Sequence, residues 1–97
     1  MAAIDERIIA QVIKDPNAIL DYGFDWSEWL QTDETISTST WTVPTGVTQA
    51  STQRTDTQTK IFLSGGTVGQ TYRITNRIVT NQTRQDDRSI LIKIIER

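Results

Sequence analysis

The stretch LDYGFDW, Leu20 to Trp26, alternates without a break: Leu20, Tyr22, Phe24 and Trp26 fall on one parity, Asp21, Gly23 and Asp25 on the other. Successive side chains of an extended chain point to opposite faces, so a period of two over seven residues predicts a β-strand with one buried face and one wet face. The rings are core and the acids are their solvent-facing partners. A sugar-cleaving pair needs two carboxylates roughly 5–10 Å apart. Asp21 and Asp25 sit four residues apart on one strand face, roughly 13 Å between Cα atoms, and Glu28 lies past the strand end. The spacing does not make a catalytic pair.

The same rhythm returns along the chain. Thr35 to Val43 reads as a strand closed by Pro44-Thr45-Gly46, and Thr48 to Thr59 as a hairpin or weak strands near an edge. Lys60 to Leu63 is short and apolar and ends at Ser64-Gly65-Gly66. In TYRITNRIVT, Tyr72, Ile74 and Ile78 share a parity with Asn76, while Arg73, Thr75, Arg77 and Val79 take the other. Ile90, Ile92 and Ile94 point inward in the final strand, with Lys93 outward. Between Trp26 and the next strand, Ser27-Glu28-Trp29-Leu30 reads as one helical turn that Ser27 caps.

The N-terminal segment is ambiguous. Ile4, Ile8, Ile9, Val12 and Ile13 fit a helical stripe, yet the β-branched content of RIIAQVI argues for a strand, which Asp15-Pro16 then stops. Threonine supplies sixteen of the 97 residues and alternates with Ile, Trp, Val and Tyr. Such residues suit a pleated, half-buried surface, so they read as exposed strand faces. Six or seven short strands separated by turns predict one domain, a small Ig-like antiparallel β-sandwich, with no repeat and no linker. Tyr72 follows the Gly-rich corner Ser64 to Gly69, where Ig-like sandwiches carry a tyrosine whose hydroxyl ties back to the upstream turn.

Inventory narrows the chemistry further. The chain has no cysteine and no histidine, so disulfides, thiolate metal sites and histidine-based catalysis are excluded. A net charge of −2 with dispersed Lys and Arg gives no footprint for nucleic acid, and no run approaches the roughly 18 apolar residues of a membrane helix. The acids in MAAIDERIIAQVIKD stand where a signal peptide needs basic residues, the pattern of a protein made in the cytoplasm. No cofactor and no metal are expected. Asp86 and Asp87 fall short of the six to eight oxygens that calcium takes. Ser64-Gly65-Gly66-Thr67 lacks the lysine and helix of a phosphate loop and reads as a turn.

The run Arg84-Gln85-Asp86-Asp87-Arg88 is read as a solvated hairpin tip with local Asp–Arg pairs, or as an inter-subunit contact in which alternating charges interlock. Trp29 and Trp41 are not fixed as core by pattern. Trp29 is expected to fold back over the sandwich end and Trp41 to go with Val43; the rival reading is a sugar-stacking platform.

The order KDPNAILDYGFDWSEWL, DETISTSTWTV, FLSGGTVGQTYRITNRIVT and RQDDRSILIKI resembles a family of small tailed-bacteriophage structural proteins of fibre–tail adaptor type. The resemblance rests on Asp15-Pro16, Leu20-Asp21-Tyr22, Asp25-Trp26, Ile36 to Trp41, Leu63 to Thr67, Tyr72 with Thr75-Asn76, and Asp87-Arg88-Ser89. It covers Lys14 to the C-terminus. It implies a non-enzymatic virion component with an Ig-like sandwich, present in several symmetric copies, whose partners are copies of itself and other virion proteins. Residues 1–13 stand apart as an N-terminal strand or arm, and residues 14–97 form the sandwich. Docking by edge-strand pairing is the expected mode, through Arg7 to Ile13 or Ser89 to Ile95. The interface candidates are Arg7, Ile9, Gln11, Ile13, Arg84, Asp86, Asp87 and Arg88. Two rival roles are a capsid decoration protein and a non-catalytic sugar-binding module.

Overall fold

The computed structural model describes residues 8–96, with side chains described from Ile13 onward. Seven strands follow in order: β1 Ile8–Lys14, β2 Leu20–Asp25, β3 Ile36–Thr42, β4 Val47–Arg54, β5 Gln58–Gly65, β6 Thr71–Thr80 and β7 Gln85–Ile94. They form a four-stranded sheet, β1-β7-β6-β3, and a three-stranded sheet, β2-β5-β4. In Ig lettering these are A-G-F-C and B-E-D, so the fold is an Ig-like sandwich with its first strand on the G edge rather than beside B. That placement makes one pair parallel, β1 with β7, while every other pair is antiparallel.

The core follows the alternation. Phe24, Ile61, Leu63, Ile74, Ile78, Ile90, Ile92 and Ile94 are buried between the sheets, and Trp26, just past β2, is wholly enclosed. The first part of β2, an edge strand, departs from the pattern: Leu20 is 40% exposed and Tyr22 half-buried, although Leu63 and Ile61 directly opposite are fully buried. Trp41, on the third strand where antibody domains place their core tryptophan, stacks on Phe24 at 5.8 Å between centroids. Ile74 stands two residues after the corner tyrosine, the place of the second bridging cysteine in antibody domains. Aromatic and aliphatic packing replaces the bridge.

The tyrosine corner is present. Thr67 N–H donates to Tyr72 Oη at 3.1 Å, and the ring lies against Gly46 in the β3–β4 turn. Gly46 has φ of 115°, and a Cβ there would meet Tyr72 Oη at 2.8 Å, so only glycine fits. The corner thus fastens two crossover loops at one end of the sandwich.

A buried polar network joins the two sheets. Trp26 Nε1 donates to Thr59 Oγ1 on β5 and Asn76 Oδ1 on β6, at 3.3 and 3.2 Å. Thr59 Oγ1 also donates to Asn76 Oδ1 at 2.8 Å, and Asn76 Nδ2 donates to Ser39 Oγ at 2.8 Å on β3. Asn76, apolar neighbours on both sides, is therefore buried with its amide satisfied.

Candidate docking interface

The charged run and the aromatic run, distant in sequence, meet at one end of the sandwich. Only Arg84 of the run sits in the hairpin turn. The β6–β7 turn is Asn81 to Arg84, and Asp86, Asp87 and Arg88 belong to β7, because pairing begins at Val79↔Gln85. Its charges are met inside the chain. Arg84 Nη2 lies 2.5 Å from Glu34 Oε1 and donates to the Trp29 carbonyl at 3.0 Å, and its guanidinium stands 4.1 Å from the Trp29 ring centroid. Arg88 covers the Trp26 ring at 4.0 Å and donates to the Asp25 carbonyl at 3.0 Å. The two rings meet edge to face at 5.6 Å. Arg84, Trp29, Trp26 and Arg88 therefore form one stack that closes this end of the core.

Asp87 pairs with Arg77, its direct cross-strand neighbour, through bonds of 2.8 and 3.1 Å. Local Asp–Arg pairs are the expectation from the sequence; the hydrogen-bonded pair that Asp87 makes is across the sheet, with Arg77, while Asp86 acts on Arg84 only through its charge. Glu34 is buried, and the Arg84 hydrogen bonds, outweighing desolvation, hold its carboxyl down to about 2. Thr80 Oγ1 and the Gln31 N–H add donors to the same carboxylate, at 2.6 and 2.8 Å. Glu34 and the stack are not legible in the sequence, because the rings and the arginines that cover them are far apart in the chain (55 positions for Trp29 and Arg84), which no local pattern reveals.

After β2 the chain makes one helical turn, with Trp29 and Leu30 N–H donating to the Trp26 carbonyl, but the capping oxygen is that of Asp25 and not that of Ser27. The Ser27 N–H donates to Asp25 Oδ1 at 3.0 Å, and that bond is the first cause of a lowered Asp25 pKa. Asp21 faces solvent beside Lys60, 3.6 Å away. Both candidate rings are engaged within the chain: Trp29 meets Trp26 edge to face and carries Arg84 over its ring, and Trp41 stacks on Phe24.

The edges are what remain on offer. β7 lies between β1 and β6, so Ser89 to Ile95 is not an open edge: β1 occupies its free side, from Ile8↔Ser89 to Lys14↔Ile94. The two segments expected to pair with neighbours pair with each other. Among the described residues the open strands are β1 and β3 in one sheet, β2 and β4 in the other. Of the N-terminal candidates, Ile9 and Gln11 lie on β1, Ile13 is 46% exposed there, and Arg7 lies outside the described residues. The end of β1 is anchored by Lys14, buried, whose Nζ donates to the Asp15 and Gly65 carbonyls at 2.9 and 2.8 Å. Burial pushes the Lys14 pKa down. Among the described residues the exposed large apolar side chains are Ile13, Ile19, Leu20 and Val68, all at the end where β1 and β7 finish and β2 and β6 begin. The opposite end carries the arginine–tryptophan stack.

The sandwich thus presents four edge strands, a polar end closed by the arginine–tryptophan stack and an apolar end, the kind of surface on which another chain can dock. Residues 14–93 match the family described as podophage GP4 fiber-tail adaptor protein gp77, and the chain belongs to that family. It is a structural adaptor protein of a tailed-phage virion. No curated protein matches the chain.

Proposed function

We propose that the protein joins tail to fibre by docking alone, contributing no catalytic step. Its partners are the tail and fibre proteins of the particle, it resides in the virion, and it is made in the host cytoplasm. The observation that carries the reading is the family match over residues 14–93, in a sandwich whose sheets both end in open strands. An edge strand gives a partner main-chain hydrogen bonds, and the side chains beside it set register. The open side of β1 and the exposed Ile13, Ile19, Leu20 and Val68 supply the surface for one partner. Asp86, at the rim of the opposite end, is the member of the charged run that supplies contact for another, while Arg84, Asp87 and Arg88 hold the fold.

Particles assembled from a phage carrying an early stop codon in the gene test this. The expected particles have full heads and tails but no fibres by electron microscopy. Particles with intact fibres, or with fragile shells as loss of a decoration protein would give, overturn it.

A further inference from the structure

From Thr35 to Gln53 the chain carries no charged residue, although 23% of all its residues are charged. This stretch contains β3 and β4, the two open strands on one side of the sandwich. The connection Val43 to Gly46 is too short to cross the molecule, and Arg54 Nη1 donates to the Ile36 carbonyl at 2.6 Å at the other end, so both edges lie on the same side. Open edges are normally defended by charge, because an uncharged edge recruits another strand. Here that defence is missing from both strands on this side, up to Gln53.

The two strands differ in regularity. β4 is broken by a register shift between Gln49 and Ser51, a bulge that bends its edge. β3 shifts only near its start, between Ile36 and Thr38, and runs in uninterrupted register from Thr38↔Val79 to Thr42↔Thr75. Along that run Thr38, Thr40 and Thr42 are exposed on the outer sheet face, while Ser39 and Trp41 are half-buried.

We propose that β3 pairs antiparallel with β3 of a second copy, about a two-fold axis at Thr40. The row is its own complement. Antiparallel pairing centred on Thr40 sets Thr40 against its mate and Thr38 against Thr42 of the other copy, so every outer pair is threonine on threonine. Such cross-strand pairs are favourable, and no like charges meet. The two four-stranded sheets then continue as one. An edge without charge offers a charged partner strand main-chain bonds but no side-chain ion pairs, whereas a second copy also brings the matching threonine row, and an isologous contact closes at two. The inference stands on edge geometry and does not depend on the adaptor reading.

Because the chain lacks cysteine, single substitutions report the pairing. Opposed Cα atoms in such a pair lie within the roughly 4.4–6.8 Å a disulfide accepts. Under mild oxidation of the full chain, Thr40→Cys forms a covalent dimer roughly tenfold faster than Lys93→Cys, an exposed position away from this edge. Thr38→Cys alone does not, since its own mate is about 13 Å away, but a mixture of Thr38→Cys and Thr42→Cys does. Light scattering of the unmodified chain shows mass rising toward a dimer with concentration, and Thr40→Lys halves that mass at unchanged melting temperature. The proposal is overturned by a Thr40→Cys rate equal to the Lys93→Cys control. Cross-linking of Thr40→Cys to Gln11→Cys on β1 also overturns it, showing head-to-tail contact. So does a monomer at every concentration whose Thr40→Lys variant fails to enter virions, which assigns the edge to a different protein.

Discussion

Asn76 shows how much one polar residue holds. Its amide accepts from Trp26 and Thr59 and donates to Ser39 and the Thr40 carbonyl, so it joins β2, β5, β6 and β3 in the interior. Asn76→Ala strips those partners without supplying water, and the expected loss is about 2 kcal/mol of unfolding free energy by urea titration. An unchanged midpoint would mean the network relaxes onto other acceptors. Thr83 makes the opposite case. It sits at φ of 61° in the β6–β7 turn, a region costly for a β-branched residue. Thr83→Gly should raise stability by about 1 kcal/mol in the same titration. The parity of Asn76 was legible in the sequence. Its partners were not, because they lie 17 to 50 positions away in the chain.

At the scale of elements, the strands β2, β3, β6 and β7 could be read from alternation, since each buries one face against the other sheet. β4 was weakly patterned for a physical reason: beyond Val47 all its residues are exposed, so no face is under hydrophobic selection. The N-terminal segment was ambiguous because propensity and periodicity disagreed, and pairing to β7 decides it as a strand. This gives an element-scale prediction. Removing residues 1–14 bares the free side of β7 over Ser89 to Ile94, beside the buried Ile90, Ile92 and Ile94. The truncated chain should associate or aggregate at concentrations where the full chain does not, measured as scattering mass. A truncated monomer with an unchanged melt would show β1 to be an appendage.

At the scale of the whole molecule, the two ends differ in what holds them. The apolar end is fastened by Tyr72, Gly46 and the Lys14 ammonium, the other by the Glu34–Arg84 pair and the arginine–tryptophan stack. Glu34 has a folded-state pKa of about 2 against an ordinary 4.5, so folding favours its ionised form. Its stabilisation is complete above the unfolded value and is lost as pH falls from about 4.5 through about 2. Melting followed by tryptophan fluorescence should therefore decline over that window. Glu34→Gln should melt lower at neutral pH and show a shallower acid decline. An acid decline identical to the unmodified chain would place the sensitivity elsewhere.

The sequence by itself determined the fold class, the buried parity of each long strand, the tyrosine corner and the family. These are set by local periodicity and by motifs that lie close together in the chain. Only the tertiary structure decided that β1 closes β7, that the charged run is spent on the tryptophans and on Glu34, and that two uncharged edges share one side. Those depend on which segments the crossovers bring together, and a crossover between sheets juxtaposes residues without leaving any period in the sequence.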